Sequence, residues 1–289
     1  MFTDRIEERW IAAFDTVFGL CRVEKGEAVA ILSETQSRRL NVQLAELALL
    51  RRGARPFHVT VVSPPQTAPV PVRSTGASPA LQGLGPAVKA LAASSLVVDL
   101  TVEGMLHAPE LPDIIGDGAR LLMVSNEHPD ALERLVPDPA LAERVKAAVK
   151  RIRAAKQMRV TSAAGSDLTV ALEGAPSAGV WGYCDRPKTV AHWPGGIVVA
   201  FPAAGYATSH VGWGLNEAAR YEALTMYDRR DFNGTEIRAF AGNFLYSTGA
   251  NEFADRHTLG HFDLPMRSCT VSLDGVPVVE SGRLVDGGA

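Results

Sequence analysis

The stretch "SLVVDLTVEGMLHAPELPDIIG", Ser95 to Gly116, passes from a short apolar run into a segment bounded by proline and glycine. Its first part, "SLVVDLT", lacks apolar/polar alternation, as expected of a strand covered on both faces in a parallel sheet. Pro109 before "ELPDII" and Gly116 after it are helix start and stop signals. Three more runs, "AVAILSE" from Ala28, "FHVTVVS" from Phe57 and "RLLMVS" from Arg120, read as buried parallel strands separated by amphipathic stretches. An α/β amino-terminal domain with a parallel sheet is therefore expected over residues 1–155.

Other segments supply the remaining organisation. Near the amino terminus, Ile6, Trp10, Phe14 and Val17 define one side of an amphipathic helix. Asp138-Pro139 opens a long helix with Leu141, Val145, Val149 and Ile152 on one face, ending in the solvated basic run "KRIRAAK". Ser63 to Pro86 is rich in proline, serine and glycine, which predicts a long surface loop or a lid. Its "GLGPAV" lacks the third glycine and the preceding strand of a dinucleotide loop. After about residue 156 the pattern changes to short β-like runs with glycine turns, beginning with a hairpin around Gly165-Ser166-Asp167. Residues 156–289 are thus expected to form a second, mostly β (α+β) domain.

The 289 residues carry a formal charge of -3 with both signs interspersed, which provides no electrostatic footprint for nucleic acid or an anionic membrane. No apolar run approaches the roughly 20 residues needed to span a bilayer. The charged amino terminus does not resemble a signal peptide, and three scattered cysteines argue against a disulfide framework. A cytoplasmic homo-oligomer is expected.

Candidate chemistry gathers in "DRHTLGHFDLPMRSC", Asp255 to Cys269. In extended chain, residues two apart share a face, so His261 and Asp263 would project together while Phe262 turns away. One imidazole and one carboxylate need a third donor to hold a metal. Among the histidines of the second half, His210 is the strongest candidate, because "YATSHVGWGLNEAARYEAL" places it before a glycine-rich turn and a helical run. Two histidines and a carboxylate suit either facial coordination of ferrous iron or tetrahedral zinc, and spacing does not choose between them. An ordinary packed imidazole is the competing reading for His210. His107 follows the strand "SLVVDLT", and ligand sites of α/β folds favour the carboxyl ends of parallel strands. A solvated or helix-capping histidine is the alternative there. His192 receives no role, and His257 reads either as a partner beside the metal ligands or as an exposed bystander. Trp181, Trp193 and Trp213 read as core residues in preference to an aromatic pocket.

The segments "SHVGWGLN", "GNFLYSTGANEF" and "RHTLGHFDLPMRSCTVSLDG", joined upstream by "LVVDLTVEGMLHAPELPDII", resemble motifs of the 2,5-dihydroxypyridine 5,6-dioxygenases. That family is similar in turn to the aminopeptidase T metallopeptidases. The resemblance implies that His210, His261 and Asp263 ligate Fe(II), making the second domain metal-binding. It also implies that His107 is an acid/base residue and that Ser247 contacts substrate. The implied reaction opens 2,5-dihydroxypyridine between carbons 5 and 6 to N-formylmaleamate, within nicotinate degradation. A small aromatic N-heterocycle and dioxygen would be the partners, with no organic cofactor. A metal-dependent aminopeptidase and a non-catalytic small-molecule-binding protein are the alternatives, separable by metal content.

Overall fold

A computed structural model describes residues 5–65, 78–161, 167–202, 210–215, 223–226, 270–281 and 283–285. The chain forms two compact units that part between Pro137 and Asp138, with residues 182–195 returning to the first. The change in sequence pattern near residue 156 falls later than this division.

The first unit contains, in chain order, α1 (Glu8–Leu20), β1 (Ala28–Glu34), α2 (Arg39–Arg51), β2 (Arg55–Val61), α3 (Gly85–Ala92), β3 (Leu96–Asp99), α4 (Leu111–Ile115), β4 (Arg120–Val124) and α5 (Pro129–Glu133). The second unit begins with α6 (Pro139–Ala154), β5 (Gln157–Thr161), β6 (Asp167–Ala171) and β7 (Ser177–Val180). The chain then supplies β8 (Val190–Trp193) to the first unit. It completes the second with β9 (Ile197–Ala200), β10 (His210–Gly214), β11 (Ala223–Met226), β12 (Thr270–Leu273), β13 (Val276–Glu280) and β14 (Arg283–Leu284).

The sheet of the first unit is parallel throughout, in the order β2-β1-β3-β4-β8. Its central strands are buried on both faces, and alternate residues feed two cores. Val29, Ile31, Leu96, Val98, Leu122 and Val124 join α1 and α2 in one core with Trp10, Phe14, Phe18 and Leu44. Ala30, Leu32, Val97, Leu121 and Met123 face the other with Leu81, Leu91, Met105 and Ile114. Each fully buried aliphatic side chain contributes about 1.5–3 kcal/mol. These cores fix the register of the sheet and hence the height of every strand end.

Several expectations need correction. The run from Phe57 forms a parallel strand as expected, but β2 is the sheet edge, so Arg55 and Val59–Thr60 remain partly or fully exposed. Ile6 precedes α1 and is 39% exposed, whereas Trp10, Phe14 and Val17 are buried. The helical run expected after His210 includes Ala223 and Leu224, which instead lie in β11. There Ala223 opposes Trp213 and Leu224 opposes Gly212, so strand pairing overrides helix propensity. The expectation for Trp193 and Trp213, by contrast, holds: both are fully buried core residues.

In the second unit, one antiparallel sheet has the order β11-β10-β9-β7 and the other β14-β13-β12-β5-β6. The expected hairpin is present as β5 and β6, registered from Gln157↔Ala171 to Thr161↔Asp167. Asp138 caps α6 by accepting from Leu141 N–H at 2.8 Å, and the helix buries Leu141, Val145 and Ile152.

Two glycines reveal how closely this unit is packed. A Cβ on Gly212 would overlap the Val198 carbonyl, which is fixed in the neighbouring strand, while one on Gly179 would meet the Val145 and Val149 side chains of α6. Backbone cannot swing away as a side-chain methyl can. Gly212→Ala should therefore cost about 3 kcal/mol or more, and Gly179→Ala about 1–3 kcal/mol. Urea unfolding followed by tryptophan fluorescence checks this order; equal losses would contradict it.

Candidate active site

The strand order turns back on itself between β1 and β3: β2 lies on the far side of β1, and β4 and β8 lie beyond β3. In open α/β sheets, the crevice at the carboxyl ends of the strands beside such a reversal is the preferred ligand position. Here those ends carry Glu34 and Asp99. Strand alternation puts Glu34 on the face of Ala30 and Leu32, and Asp99 on the face of Val97. Adjacent registers Leu32↔Asp99, Asp99↔Met123 and Met123↔His192 align four strands into one row on that face.

Asp99 is fully buried, and its carboxylate is a local organiser of the chain that follows β3. Oδ1 accepts from Thr101 N–H at 3.0 Å and from the Thr101 hydroxyl at 2.7 Å, while Oδ2 accepts from Met105 N–H at 2.7 Å. Glu34 Oε1 accepts from Val102 N–H at 2.7 Å. Glu34 N–H donates to Ser37 Oγ at 2.8 Å, and that hydroxyl donates to the Leu100 carbonyl at 2.7 Å. Gly104 has φ +81, a conformation that favours glycine, and a Cβ there would overlap the Met123 side chain. Burial pushes the Asp99 carboxyl up to about 6; hydrogen bonds from Thr101 and Met105 oppose the shift and Glu34 adds to it.

His107 lies beyond this loop and is exposed. Its turn is closed by Ala108 N–H donating to Met105 C=O at 3.1 Å, and Met105 and Ala108 are buried on either side. On the same sheet face, buried His192 shares a 2.7 Å hydrogen bond between its Nε2 and Ser125 Oγ. Burial lowers the His192 pKa to about 4, with a further contribution from the charge of His107. His192 is therefore neutral near pH 7. The first unit thus collects an exposed imidazole, a buried neutral imidazole and two loop-holding carboxylates beside the strand reversal.

His210 is the first residue of β10, where its backbone is opposite Met226 of β11. His261, Asp263, Ser247 and His257 lie outside the described residues. Among the described residues, no group of three His, Cys, Asp or Glu side chains is arranged to hold a metal. The residues that sequence reasoning passed over are Glu34, Asp99, Thr101 and Ser125. Their shared signal is a polar residue ending or following an apolar run, at the edge where parallel strands deliver ligand-binding loops.

The architecture is that of an α/β unit joined in sequence to an antiparallel one, with its candidate polar site at the strand reversal. The family described as NicX, 2,5-dihydroxypyridine 5,6-dioxygenase, matches residues 9–205 and 203–286. The chain is 30% identical over 334 residues to the 2,5-dihydroxypyridine 5,6-dioxygenase of Pseudomonas putida, covering 94% of this chain and 95% of that protein. This chain belongs to the 2,5-dihydroxypyridine 5,6-dioxygenase family. Its fold is similar to the solved 2,5-dihydroxypyridine dioxygenase from Pseudomonas putida KT2440, with TM-score 0.70 and 24% identity over 97% of this chain and 98% of that one. It is also similar to AmpT from Thermus thermophilus, with TM-score 0.52 and 13% identity over 96% and 99% of the respective chains.

Two buried groups predict a pH signature. Asp99 binds its proton more tightly when folded, so its contribution is fully present below about pH 4 and is lost as pH rises through about 6. His192 binds its proton more weakly when folded, so its contribution is present above about pH 6.5 and is lost as pH falls through about 4. These slopes oppose each other and mask one another in the wild type. Asp99→Asn should make stability rise with pH across this window by on the order of 3 kcal/mol relative to wild type, and His192→Gln should produce the opposite change. Urea unfolding at several pH values is the measurement; parallel profiles for all three proteins would contradict the assignment.

Proposed function

We propose that this family member is a non-haem Fe(II) dioxygenase that opens a hydroxylated pyridine ring, with 2,5-dihydroxypyridine as substrate and N-formylmaleamate as product. The observation that carries this reading is the near-full-length relationship to the curated Pseudomonas putida enzyme. His210, His261 and Asp263 would hold the metal. Two imidazoles and a carboxylate suit ferrous iron while leaving positions for exogenous ligands. Bound iron supplies the oxygen chemistry that protein side chains lack.

The chain's own residues bind and orient the ring and move its protons. His107 would take the proton from a ring hydroxyl and later return one, a task suited to an imidazole because its ordinary pKa lies near neutrality. Its exposed position in a turn held by buried residues is compatible with that role. The Ser247 hydroxyl would orient the ring through a hydrogen bond. His192, neutral at working pH, leaves the neighbourhood of His107 without a second imidazolium. The relationship to AmpT at 13% identity supports the fold alone and gives no observation favouring peptide hydrolysis.

Metal analysis and circular dichroism of His210→Ala, His261→Ala and Asp263→Ala test the ligand set. Each variant is expected to keep its fold and lose iron and ring opening. Full iron occupancy in all three folded proteins would overturn it.

His107→Ala should retain iron and lose about 10²–10⁴-fold in turnover, read by oxygen uptake normalised to bound iron. Wild-type turnover with an unchanged pH profile would remove His107 from proton transfer.

A further inference from the structure

We infer that Asp99 is a positioning residue for His107: its buried carboxylate folds the 99–105 loop onto the sheet and thereby sets where the imidazole two residues later is presented. This inference rests on the proposed proton-transfer role of His107. The carboxylate takes hydrogen bonds from both ends of the loop, at Thr101 and Met105. Glu34 holds the intervening Val102 N–H from the adjacent strand. Met105 is fully buried, and its carbonyl accepts the hydrogen bond that closes the His107 turn. Leu106 alone separates the anchored Met105 from His107. A fully extended chain advances about 3.3–3.6 Å per residue, so that linkage spans at most about 7 Å, leaving little chain in which to absorb a displacement of Met105.

The chemistry of Asp99 is difficult to explain as packing alone. Leu96, Val97 and Val98 are apolar and fully buried, so the strand terminates its hydrophobic run with a carboxyl group that is expensive to desolvate. A carboxylate offers what an apolar residue cannot: two oxygens able to accept from several donors at once. The three observed donors use both oxygens, and Thr101 extends the connection by accepting from Gly104 N–H at 3.0 Å. Gly104 in turn accepts Ser78 N–H at 2.8 Å through its carbonyl. The loop is thereby specified at residues 101, 102, 104 and 105. A misplacement of about 1 Å in a reacting group can cost about 10²-fold in rate, so this local order matters to proton transfer.

The test uses the full-length, iron-loaded protein and the variants Asp99→Asn, His107→Ala and their combination. Asparagine places an amide donor where Oδ2 accepts from Met105, or exposes that same conflict to Thr101 if the amide is reversed. Asp99→Asn should lower kcat by about 10–100-fold while leaving iron content and substrate KM within about threefold. The additional loss should vanish when His107 is already alanine. Hydrogen exchange should show reduced protection at Met105 N–H but unchanged protection in the centres of β1, β3 and β4, and the His107 ring resonance should move.

Wild-type kcat in folded Asp99→Asn, or an unchanged His107 resonance, would overturn the inference. An equal kcat loss with and without His107 would do the same, because Asp99 would then act by another route. Wild-type turnover in His107→Ala would reject the parent reading and with it the catalytic consequence; the ring resonance would still decide whether Asp99 positions the side chain. If Asp99→Asn fails to fold, Thr101→Val removes the hydroxyl contacts while preserving shape. That variant should give a smaller kcat loss and move the His107 resonance; no change in either measurement would also overturn the inference.

Discussion

Burial of the parallel sheet on both faces concentrates polar function at its carboxyl edge. Strand interiors supply aliphatic side chains to two cores, while chain emerging from the strand ends must find partners for its newly unpaired backbone groups. Glu34 and Asp99 answer that requirement with buried carboxylates aimed at loop N–H groups. Because the strand order reverses between β1 and β3, the two carboxylates lie at the place where an α/β sheet is most suited to receive a ligand. Register in the core and placement of the His107 turn are therefore parts of one construction.

The electrostatics of this edge favour neutral or internally bonded groups over isolated charges. Asp99 loses solvation and lies near another carboxylate, so it retains its proton to unusually high pH despite three hydrogen bonds. His192 loses solvation too, but for a base the same burial expels the proton. The shared hydrogen bond with Ser125 keeps its ring engaged without requiring it to be charged. Of the two imidazoles at this edge, His192 is thus buried and neutral, and His107 is the one exposed to solvent.

The main α/β architecture was legible because long apolar runs lacking alternation can hardly be placed anywhere but in a covered parallel sheet. The edge position of β2 was not, since its sequence has the same β-branched character as an interior strand and only pairing reveals its open side. Val190–Trp193 supplies a fifth strand after an excursion into the other unit, and four residues carry no mark of which sheet they join. His107 could be placed after a strand, but the Asp99 clamp depends on backbone donors whose return to one carboxylate has no sequence motif. Family motifs, by contrast, gave a specific expectation for His210, His261, Asp263 and Ser247; the described structure fixes only the backbone position of His210 among these.

Family membership joins this architecture to the proposed ring-opening reaction, and the fate of both atoms of dioxygen tests that connection most directly. Anaerobically purified protein is loaded with one equivalent of ferrous iron, then mixed with 2,5-dihydroxypyridine and ¹⁸O-labelled dioxygen. Mass spectrometry of the quenched product should show a ring-opened molecule containing two ¹⁸O atoms, with one dioxygen consumed for each ring. A product with one labelled oxygen, or an intact ring despite full iron loading, would contradict the assignment as a ring-cleaving dioxygenase of this substrate.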